Sequence, residues 1–434
     1  MRVLGVGHHN DLGDLYLRLL ARGHEVRVHV DDEASHDVLE GLVPRVARWQ
    51  DELSWVGRDG LVLFESTGDG ETQDRLRREG YRVVGGSALG DRLELDRDFG
   101  QRTLESVGLK TAITHEVQGF DAAIALVERD PRRWVLKFSG AGYASTRSYV
   151  GQLDDGRDVL GMLRHQRRRW TYDDVPRVVL MAHLDGVEVG VGAFFDGRAF
   201  LGPPNLDWEH KRFFPGDLGE LTGEMGTVVS YRGAEKLFAA TLARLAPVLS
   251  QAGHVGYVNL NLIVNDAGAW PLELTCRFGY PGFAILSALH AEPWDAILER
   301  MADRSGATVA THDGYGVGIV LTVPPFPYPD GYERLSKGAP IFFDRSLDDD
   351  DRAALHHGEV RLEGSGDGAQ LVTAGEIGYV MVVTARGDTV GDARARCLAR
   401  ARKVVIANVR YRTDIGEKLE RRDHAELVRL GWLS

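Results

Sequence analysis

The first 86 residues repeat one pattern, in which a short apolar strand leads into a glycine-rich turn and then a helix. The first copy spans residues 2–30 and the second spans residues 61–84. Strands that alternate with helices form parallel sheets, and the ligand crevice of such a sheet lies at the carboxyl ends of its strands. The pattern therefore predicts an open parallel α/β domain over residues 1–98.

The rest of the chain is long enough for further folded units. A length of 434 residues suits about three domains of ordinary size. The 52 glycines lie well above the ~7% of an average protein and indicate many turns and backbone-lined sites. Strands dominate up to about residue 313, and a final unit follows from 314.

Charge and cysteine usage exclude several classes of function. The net charge of -12 argues against a broad nucleic-acid surface or an anionic membrane as the main partner. Two cysteines are too few for a disulfide framework, and no run of 18 apolar residues is present. We therefore expect a cytoplasmic protein that acts on small molecules.

A predicted hairpin at residues 256–276 carries the most informative polar pattern. If its strands pair symmetrically about the turn, Asn261 lies opposite Glu273 and Asn259 lies opposite Thr275. A carboxylate with neutral oxygen ligands on a rigid face is suited to Mg²⁺. A solvated sheet face is the alternative interpretation.

Lys137 ends a predicted buried strand and is followed at once by a loop of small residues. A lysine at this position can contact phosphate oxygens, and the N–H groups of Gly140 and Gly142 can approach a phosphate without an intervening Cβ. An ordinary turn has the same composition, so both interpretations stay open.

Two other clusters combine polar side chains at short spacing. His210-Lys-Arg212 precedes a glycine-spaced acidic loop at residues 217–226, which also fits a charged surface loop. His8-His9-Asn10-Asp11 offers metal ligands, but no second ligand group is evident at a suitable spacing.

Read together and in order, these clusters resemble the phosphoribosylamine–glycine ligase family of ATP-grasp enzymes. The most specific matching motifs are His210-Lys-Arg212, Asp217-x-Gly-x-x-Thr-Gly-x-Met-Gly226, Leu272-Glu-Leu-Thr-Cys-Arg-Phe-Gly279 and Tyr411-Arg-Thr-Asp-Ile-Gly416. The resemblance implies an α/β fold with ATP-grasp architecture. The implied fold has an N-terminal open parallel α/β domain at 1–98, a split ATP-grasp core at 99–313 with a nucleotide lid at about 120–184, and a C-terminal α+β domain at 314–434.

The resemblance also implies site residues, with ATP and Mg²⁺ or Mn²⁺ as cofactors. The residues implied to bind ATP are Arg97, Lys137, Gly140, Gly142, Arg147, Met181, Leu184 and Glu188, of which Lys137 meets the phosphates and Glu188 the ribose. The implied metal ligands are Glu273, Thr275 and Asn261, and the implied catalytic cations are Arg277, Lys211 and Arg212. The implied substrate-facing residues are His8, Glu65, Asp217, Thr222, Gly223, Met225 and Tyr280.

The chain departs from the family pattern mainly where the substrates bind. The family has asparagine at the position of Thr275 and lysine at that of Arg97. The turn at residues 7–13 and the residues before Glu65 also differ, and Tyr280 replaces an acid. These changes predict an altered acid or amine substrate, and Tyr280 favours an acid substrate with a larger or less cationic body.

The resemblance therefore predicts an ATP-dependent carboxylate–amine ligase that works through an acyl phosphate. Its partners are a small-molecule acid and amine, with no nucleic acid and no membrane, and the enzyme is a monomer or homodimer. The alternatives are a phosphoribosylamine–glycine ligase of purine biosynthesis and an ATP-grasp homologue that binds nucleotide without catalysis. A nicotinamide oxidoreductase is a further alternative, which rests only on Gly5-Val-Gly7 after a strand.

Overall fold

The computed structural model describes residues 1–139, 147–171 and 174–433. Its strands are β1 (Arg2–Gly7), β2 (Glu25–Val30), β3 (Leu61–Phe64), β4 (Arg82–Val84), β5 (Thr114–Gln118), β6 (Trp134–Ser139), β7 (Tyr149–Val150), β8 (Arg177–Ala182), β9 (Val187–Asp196), β10 (Phe200–Glu209), β11 (Arg212–Phe214), β12 (Leu218–Leu221), β13 (Gly226–Ser230), β14 (Val255–Asn265), β15 (Gly268–Thr275), β16 (Tyr315–Thr322), β17 (Ile341–Phe343), β18 (Leu355–His357), β19 (Val360–Glu363), β20 (Gln370–Thr373), β21 (Tyr379–Gly387) and β22 (Val404–Ile406). Its α-helices are α1 (Gly13–Ala21), α2 (Leu53–Val56), α3 (Gly70–Arg78), α4 (Ala88–Leu95), α5 (Arg97–Ser106), α6 (Phe120–Arg129), α7 (Arg157–Arg168), α8 (Glu235–Ala240), α9 (Ala246–Gln251), α10 (Gly282–Ser287), α11 (Trp294–Asp303), α12 (Tyr332–Leu335), α13 (Asp349–Ala353), α14 (Val390–Ala401) and α15 (His424–Arg429). Within those ranges, none of the helices has both the length and the apolar character needed to cross a bilayer.

The N-terminal strands form a parallel sheet in the order β2-β1-β3-β4. β1 pairs in parallel with β2 and β3, and β3 pairs in parallel with β4. The side chains of β3 are buried throughout, as expected for a strand that is covered on both faces. The predicted open parallel α/β fold of this region is confirmed.

The largest sheet has eight strands in the order β15-β14-β9-β10-β13-β16-β21-β18. Its pairings are antiparallel, and β16 pairs directly with β13. One continuous sheet therefore joins the middle of the chain to its C-terminal third. The strand faces opposite the polar site are apolar and contribute to the main hydrophobic core.

A smaller sheet, in the order β5-β8-β6-β7, forms a separate layer with α6 and α7. It has its own core, in which Trp134, Leu136 and Val159 are fully buried. An independent core allows this layer, called the lid sheet below, to pack as a unit of its own.

Two helix boundaries differ from the sequence pattern. Residues 91–107 read as one helix, but Asp96 adopts an extended conformation between α4 and α5. Its carboxylate accepts a hydrogen bond from the Phe99 N–H at 2.9 Å and so starts a new helix. The helical sequence pattern of residues 392–407 continues past the end of the helix, which stops at Ala401 because the chain turns there into β22.

Candidate active site

The hairpin of β14 and β15 has the register that the sequence predicts. Asn261 pairs with Glu273 and Asn259 pairs with Thr275. Strand alternation places these four side chains on one face, with buried Leu260 on the other. The strand register therefore gives the hairpin one polar face.

Three cations from separate segments converge on Glu273. Lys137 Nζ lies 3.1 Å and Arg97 Nη2 lies 3.3 Å from Glu273 Oε2. Lys211 Nζ lies 2.9 Å from Glu273 Oε1 and also 2.9 Å from Glu209 Oε2. We call Arg97, Lys137, Lys211 and Glu273 the lysine cluster. The ion pair between Lys137 and Glu273 joins the lid sheet to the eight-stranded sheet.

The members of the lysine cluster shift the pKa values of one another. Burial lowers the pKa of Lys137, although the charge of Glu273 opposes that shift. Lys137 and Lys211 keep the pKa of Glu273 well below its usual range, against the opposing effect of burial. Burial lowers the pKa of Lys211, but Glu209 and Glu273 outweigh it and raise that pKa well above the ordinary value. The cluster therefore presents an ionised carboxylate and permanent positive charge in a partly buried cleft.

A cavity of about 350 Å³ lies beside Arg97. Val179 and Glu116 of the lid sheet line it together with Arg97. Val179 pairs with Lys137 across β8 and β6, so both side chains leave the same face of that sheet. The size falls in the range of small-molecule sites.

The side-chain amide of Asn261 has a hydrogen-bond partner for its nitrogen and none for its oxygen. Its Nδ2 donates to Glu188 Oε1 at 3.0 Å, while its buried Oδ1 has no partner. An ionised Glu273 directly opposite and a free amide oxygen fit the oxygen ligands that Mg²⁺ prefers. Thr275, the third predicted ligand, is half-buried and lies two residues after Glu273 on the same face of β15.

The motifs near residues 210 and 412 meet in the fold, although about 200 residues separate them. His210 Nε2 accepts a hydrogen bond from the Gly416 N–H at 3.1 Å, and its Nδ1 lies 3.2 Å from the Trp208 carbonyl. Burial, with a smaller contribution from Arg412, lowers the pKa of His210 to about 4. His210 is thus a neutral, structural histidine.

Arg412 organises the loop that follows His210. It is only 1% exposed, and it donates to the Arg212 carbonyl and to Asp217 Oδ1, each at 3.0 Å. Its Nη2 also donates to Asp414 at 2.7 Å. Asp217 is therefore bound to Arg412, and Arg412 is a site-supporting residue absent from the predicted set.

The backbone of the same loop returns to the lysine cluster. The N–H and hydroxyl of Thr222 both donate to the Lys211 carbonyl, at 2.8 and 2.9 Å. The Met225 N–H donates to the His210 carbonyl, and the Met225 side chain is fully buried. A Cβ added at Gly223 would meet open space. These bonds hold the backbone of Lys211 in place.

Other predicted cations and nucleotide residues lie around this centre. Arg277 Nε lies 3.3 Å from Glu94, and Arg212 donates to the Gly219 carbonyl at 2.6 Å. Arg147 donates to Gln166 at 2.9 Å on the lid. Of the remaining predicted nucleotide contacts, Met181 is buried in β8 opposite Val135, and Leu184 follows β8. Gly140 and Gly142 lie outside the described residues.

Two of the predicted substrate residues sit around the first turn. The His8 N–H donates to Ser66 at 3.0 Å, and the His8 side chain is 40% exposed. Glu65 is buried beneath the turn and accepts hydrogen bonds from the Tyr16 hydroxyl and the Leu12 N–H, at 2.7 and 2.8 Å. Burial and, to a smaller degree, the charge of Asp11 raise the pKa of Glu65 to about 7.

Sequence reasoning missed a group of buried acids next to Lys211. Asp207 accepts a hydrogen bond from Asn259 at 2.6 Å, and burial followed by the charge of Glu209 raises its pKa to about 7. Burial also raises the pKa of Glu224 well above its usual value. Asp207 and Glu209 are two residues apart on β10, so strand alternation could have placed them on the face of Lys211.

Comparison with known proteins agrees with this geometry. Residues 95–283 match the family described as phosphoribosylglycinamide synthetase, ATP-grasp (A) domain. A phosphoribosylamine–glycine ligase of Halalkalibacterium halodurans is 26% identical over 363 residues, which cover 80% of this chain and 78% of the relative. One of Streptococcus suis is 27% identical over 360 residues, 80% of each chain.

Solved structures show the same architecture. Phosphoribosylamine–glycine ligase from Thermotoga maritima has a TM-score of 0.70 at 19% identity and covers 96% of this chain and 100% of its own. Biotin carboxylase from Campylobacter jejuni, in a β,γ-ATP complex, has a TM-score of 0.60 at 10% identity and covers 99% and 98%.

The matched domain and the curated relatives give the class of this protein, which is an ATP-grasp ligase of the carbon–nitrogen bond-forming type. Within that class, the chain is similar to phosphoribosylamine–glycine ligases along most of its length.

Proposed function

We propose that the protein joins a carboxylic acid to an amine at the expense of ATP, through an acyl phosphate, and releases ADP and phosphate. Both substrates are small molecules, and at least one differs from glycine and phosphoribosylamine. The catalytic unit is a monomer or homodimer with domains at residues 1–98, 99–313 and 314–434.

The convergence of Lys137, Lys211 and Arg97 on one carboxylate carries this proposal. The three cations outnumber Glu273 and Glu209, the carboxylates paired with them among the described residues, and so leave positive charge to balance the phosphates of a nucleotide. Phosphoryl transfer is catalysed mainly by positioning and by neutralising charge. The adjoining cavity beside Arg97 provides space for the nucleotide.

The reaction proceeds in two displacements. A carboxylate oxygen of the acid attacks the γ-phosphorus of ATP, and the bond to ADP breaks. The amine nitrogen then attacks the carbonyl carbon of the acyl phosphate, phosphate leaves, and the amine loses a proton. Lys137 and Lys211 stabilise the phosphate charge in both steps, and the backbone bonds from Thr222 and Met225 hold the segment of Lys211 in position.

Mg²⁺ would be held by Glu273 with the oxygens of Asn261 and Thr275, and would neutralise phosphate charge. The lowered pKa of Glu273 keeps this ligand ionised at neutral pH. Chelation of divalent cations with EDTA should therefore abolish ADP release, and added Mg²⁺ should restore it.

Changes at the substrate-facing positions support an altered substrate. Tyr280 packs against Tyr379 with ring centroids 5.1 Å apart, and Glu65 is buried with two hydrogen-bond donors of its own. The matching motifs of the lysine cluster and the overall similarity favour the second candidate, a phosphoribosylamine–glycine ligase. Glycine-dependent ADP release with phosphoribosylamine, and with no other amine, would establish that candidate.

The test is ADP release from ATP with a panel of acids and amines. We expect turnover only when an acid and an amine are both present. Lys137→Met should lower it about 100-fold or more, because the variant keeps the side-chain length and loses the charge. The matched control is Lys236→Met, on the exposed surface of α8. Tight ATP binding without ADP release from any pair would indicate a non-catalytic homologue instead.

A further inference from the structure

A second cavity, of about 140 Å³, lies between the first turn, the segment after β15 and the C-terminal strands. Its walls include three carboxylates, Asp11, Glu359 and Glu376, and two aromatic rings, Tyr280 and Tyr379. Among the described residues that line it, none is a lysine or an arginine. We call this space the acidic cavity.

Glu359 is fixed within the wall. Its carboxylate accepts hydrogen bonds from the backbone N–H groups of residues 376–379, the shortest from Gly378 at 2.6 Å and another from Tyr379 at 3.0 Å. Burial raises the pKa of Glu359 to about 7. A positive charge in the cavity would favour the ionised form of this carboxylate, and a negative charge would disfavour it.

Two polar groups of the wall lack hydrogen-bond partners. Asn10 is only 3% exposed, and its Oδ1 has no partner. The buried hydroxyl of Tyr280 also has none. A Cβ on Gly358 would lie 2.6 Å from that hydroxyl, so glycine at this position makes room for it. Buried groups of this kind are normally satisfied, which points to a ligand that supplies the bonds.

Hydrogen bonds connect the wall of the acidic cavity to the lysine cluster. The Tyr379 hydroxyl donates to the Glu224 carbonyl, and the loop of Glu224 is bonded back to His210 and Lys211. Tyr280 follows Glu273 by seven residues along the chain. The same loop and the same chain segment therefore link the acidic cavity to the residues proposed for phosphoryl transfer.

We propose that the acidic cavity binds a protonated amino group of a small, unphosphorylated substrate, such as a basic amino acid or a diamine. This inference rests on the proposed function, because it names the class of one substrate of that ligase. A phosphate would face three carboxylates, with the His9 imidazole but no lysine or arginine among the described lining residues to balance it. An ammonium ion would instead meet carboxylates and tyrosine rings. The inference reverses the expectation of a less cationic substrate that Tyr280 suggested from sequence.

The test is calorimetric binding to the full-length protein, without nucleotide and in EDTA. The probes are lysine, norleucine, which keeps the α-amino and α-carboxyl groups and lacks only the side-chain ammonium group, and ribose 5-phosphate. We expect lysine to bind at least about tenfold more tightly than norleucine, and ribose 5-phosphate not to bind, since a charged hydrogen bond is lost or a repulsion gained. Tighter binding of ribose 5-phosphate than of lysine would overturn the proposal.

Three variants locate the binding. Glu376→Gln should weaken lysine binding about tenfold, and Tyr280→Phe should weaken it severalfold without disturbing the fold, because its hydroxyl has no protein partner. The control Glu363→Gln, at an exposed site on β19, should bind as the wild type does. Equal lysine binding by all three variants would overturn the proposal.

A metal ion is the competing cation, because ligand atoms of His9, Asp32 and Glu376 lie within 4.8 Å of one another. Tight Mn²⁺ binding that Glu376→Gln removes, with no lysine binding in EDTA, would assign the acidic cavity to a metal and overturn the proposal. The binding readout does not depend on turnover. Lysine binding without ADP release would count against the proposed ligase reaction and not against the acidic cavity. ADP release that requires a phosphorylated amine would count against the acidic cavity proposal and not against the ligase reaction.

Discussion

The lysine cluster and the acidic cavity both contain partly buried carboxylates, but their surroundings give those carboxylates opposite properties. Glu273 is surrounded by Lys137, Lys211 and Arg97, and its pKa lies well below the usual value. Glu359 accepts hydrogen bonds from backbone N–H groups, and burial raises its pKa to about 7. Burial alone therefore does not determine the charge of an acid, because the neighbouring cations decide it.

The difference also separates the two chemical tasks of the proposed reaction. The lysine cluster has cations to spare and suits the phosphates of ATP. The acidic cavity has anions to spare and suits an ammonium group. Two sites of opposite charge would keep the nucleotide and the amine from exchanging places.

The largest expected effect comes from removing the anion of the lysine cluster. Glu273→Gln keeps the side-chain size, but it leaves Lys137, Lys211 and Arg97 without their shared partner. We expect ADP release to fall about 10²–10³-fold, as for loss of a preorganised electrostatic group. The measurement is kcat for ADP release at saturating ATP.

Glu363→Gln serves as the matched control, because its carboxylate is 58% exposed and distant in sequence from the cluster. Wild-type turnover by Glu273→Gln would show that the convergence of three cations on this residue has no catalytic meaning.

An intermediate effect is expected from Glu65, which borders Asp11 beneath the acidic cavity. Its pKa is about 7 in the folded protein, against an ordinary value of 4.5. Between these pH values the folded protein holds a proton that the unfolded chain releases, so rising pH destabilises the fold. The unfolding free energy of the wild type relative to Glu65→Gln should fall by up to about 3 kcal/mol from pH 4.5 to 7.5.

Urea unfolding of both proteins at several pH values measures this difference. The unfolding free energy of the wild type relative to Glu363→Gln should change much less with pH. If the unfolding free energy of the wild type relative to Glu65→Gln rose with pH, the folded-state pKa of Glu65 would be lowered, as that of Glu273 is. The contrast between the two regions would then fail.

The smallest expected effect concerns the metal. Thr275→Asn places an amide oxygen next to Glu273, where the related family has asparagine. We expect the Mg²⁺ concentration for half-maximal ADP release to fall roughly threefold to tenfold, because a stronger neutral oxygen ligand joins the carboxylate. The control is Thr311→Asn, at a half-buried position in an isolated β-bridge with His290. An unchanged Mg²⁺ requirement would remove Thr275 from the proposed ligand set.

Much of the fold and part of the site could be predicted from local pattern. The parallel strands of residues 2–84 and the hairpin register of Asn261 opposite Glu273 follow from periodicities of a few residues. The break at Asp96 was missed because its cap competes with a continuous helical pattern. Arg412 was missed as a site-supporting residue because its partners lie about 200 residues away.

The sequence by itself determined which residues could carry chemistry, since strand alternation, motif order and residue type are properties of short segments. Tertiary structure decided the charge state of those residues. Lys137, Lys211, Arg97 and Glu273 come from four distant segments, and the acidic cavity is formed by parts of three regions. The electrostatic interaction of two groups depends on the distance between them and on their removal from water, and neither quantity exists until the chain has folded.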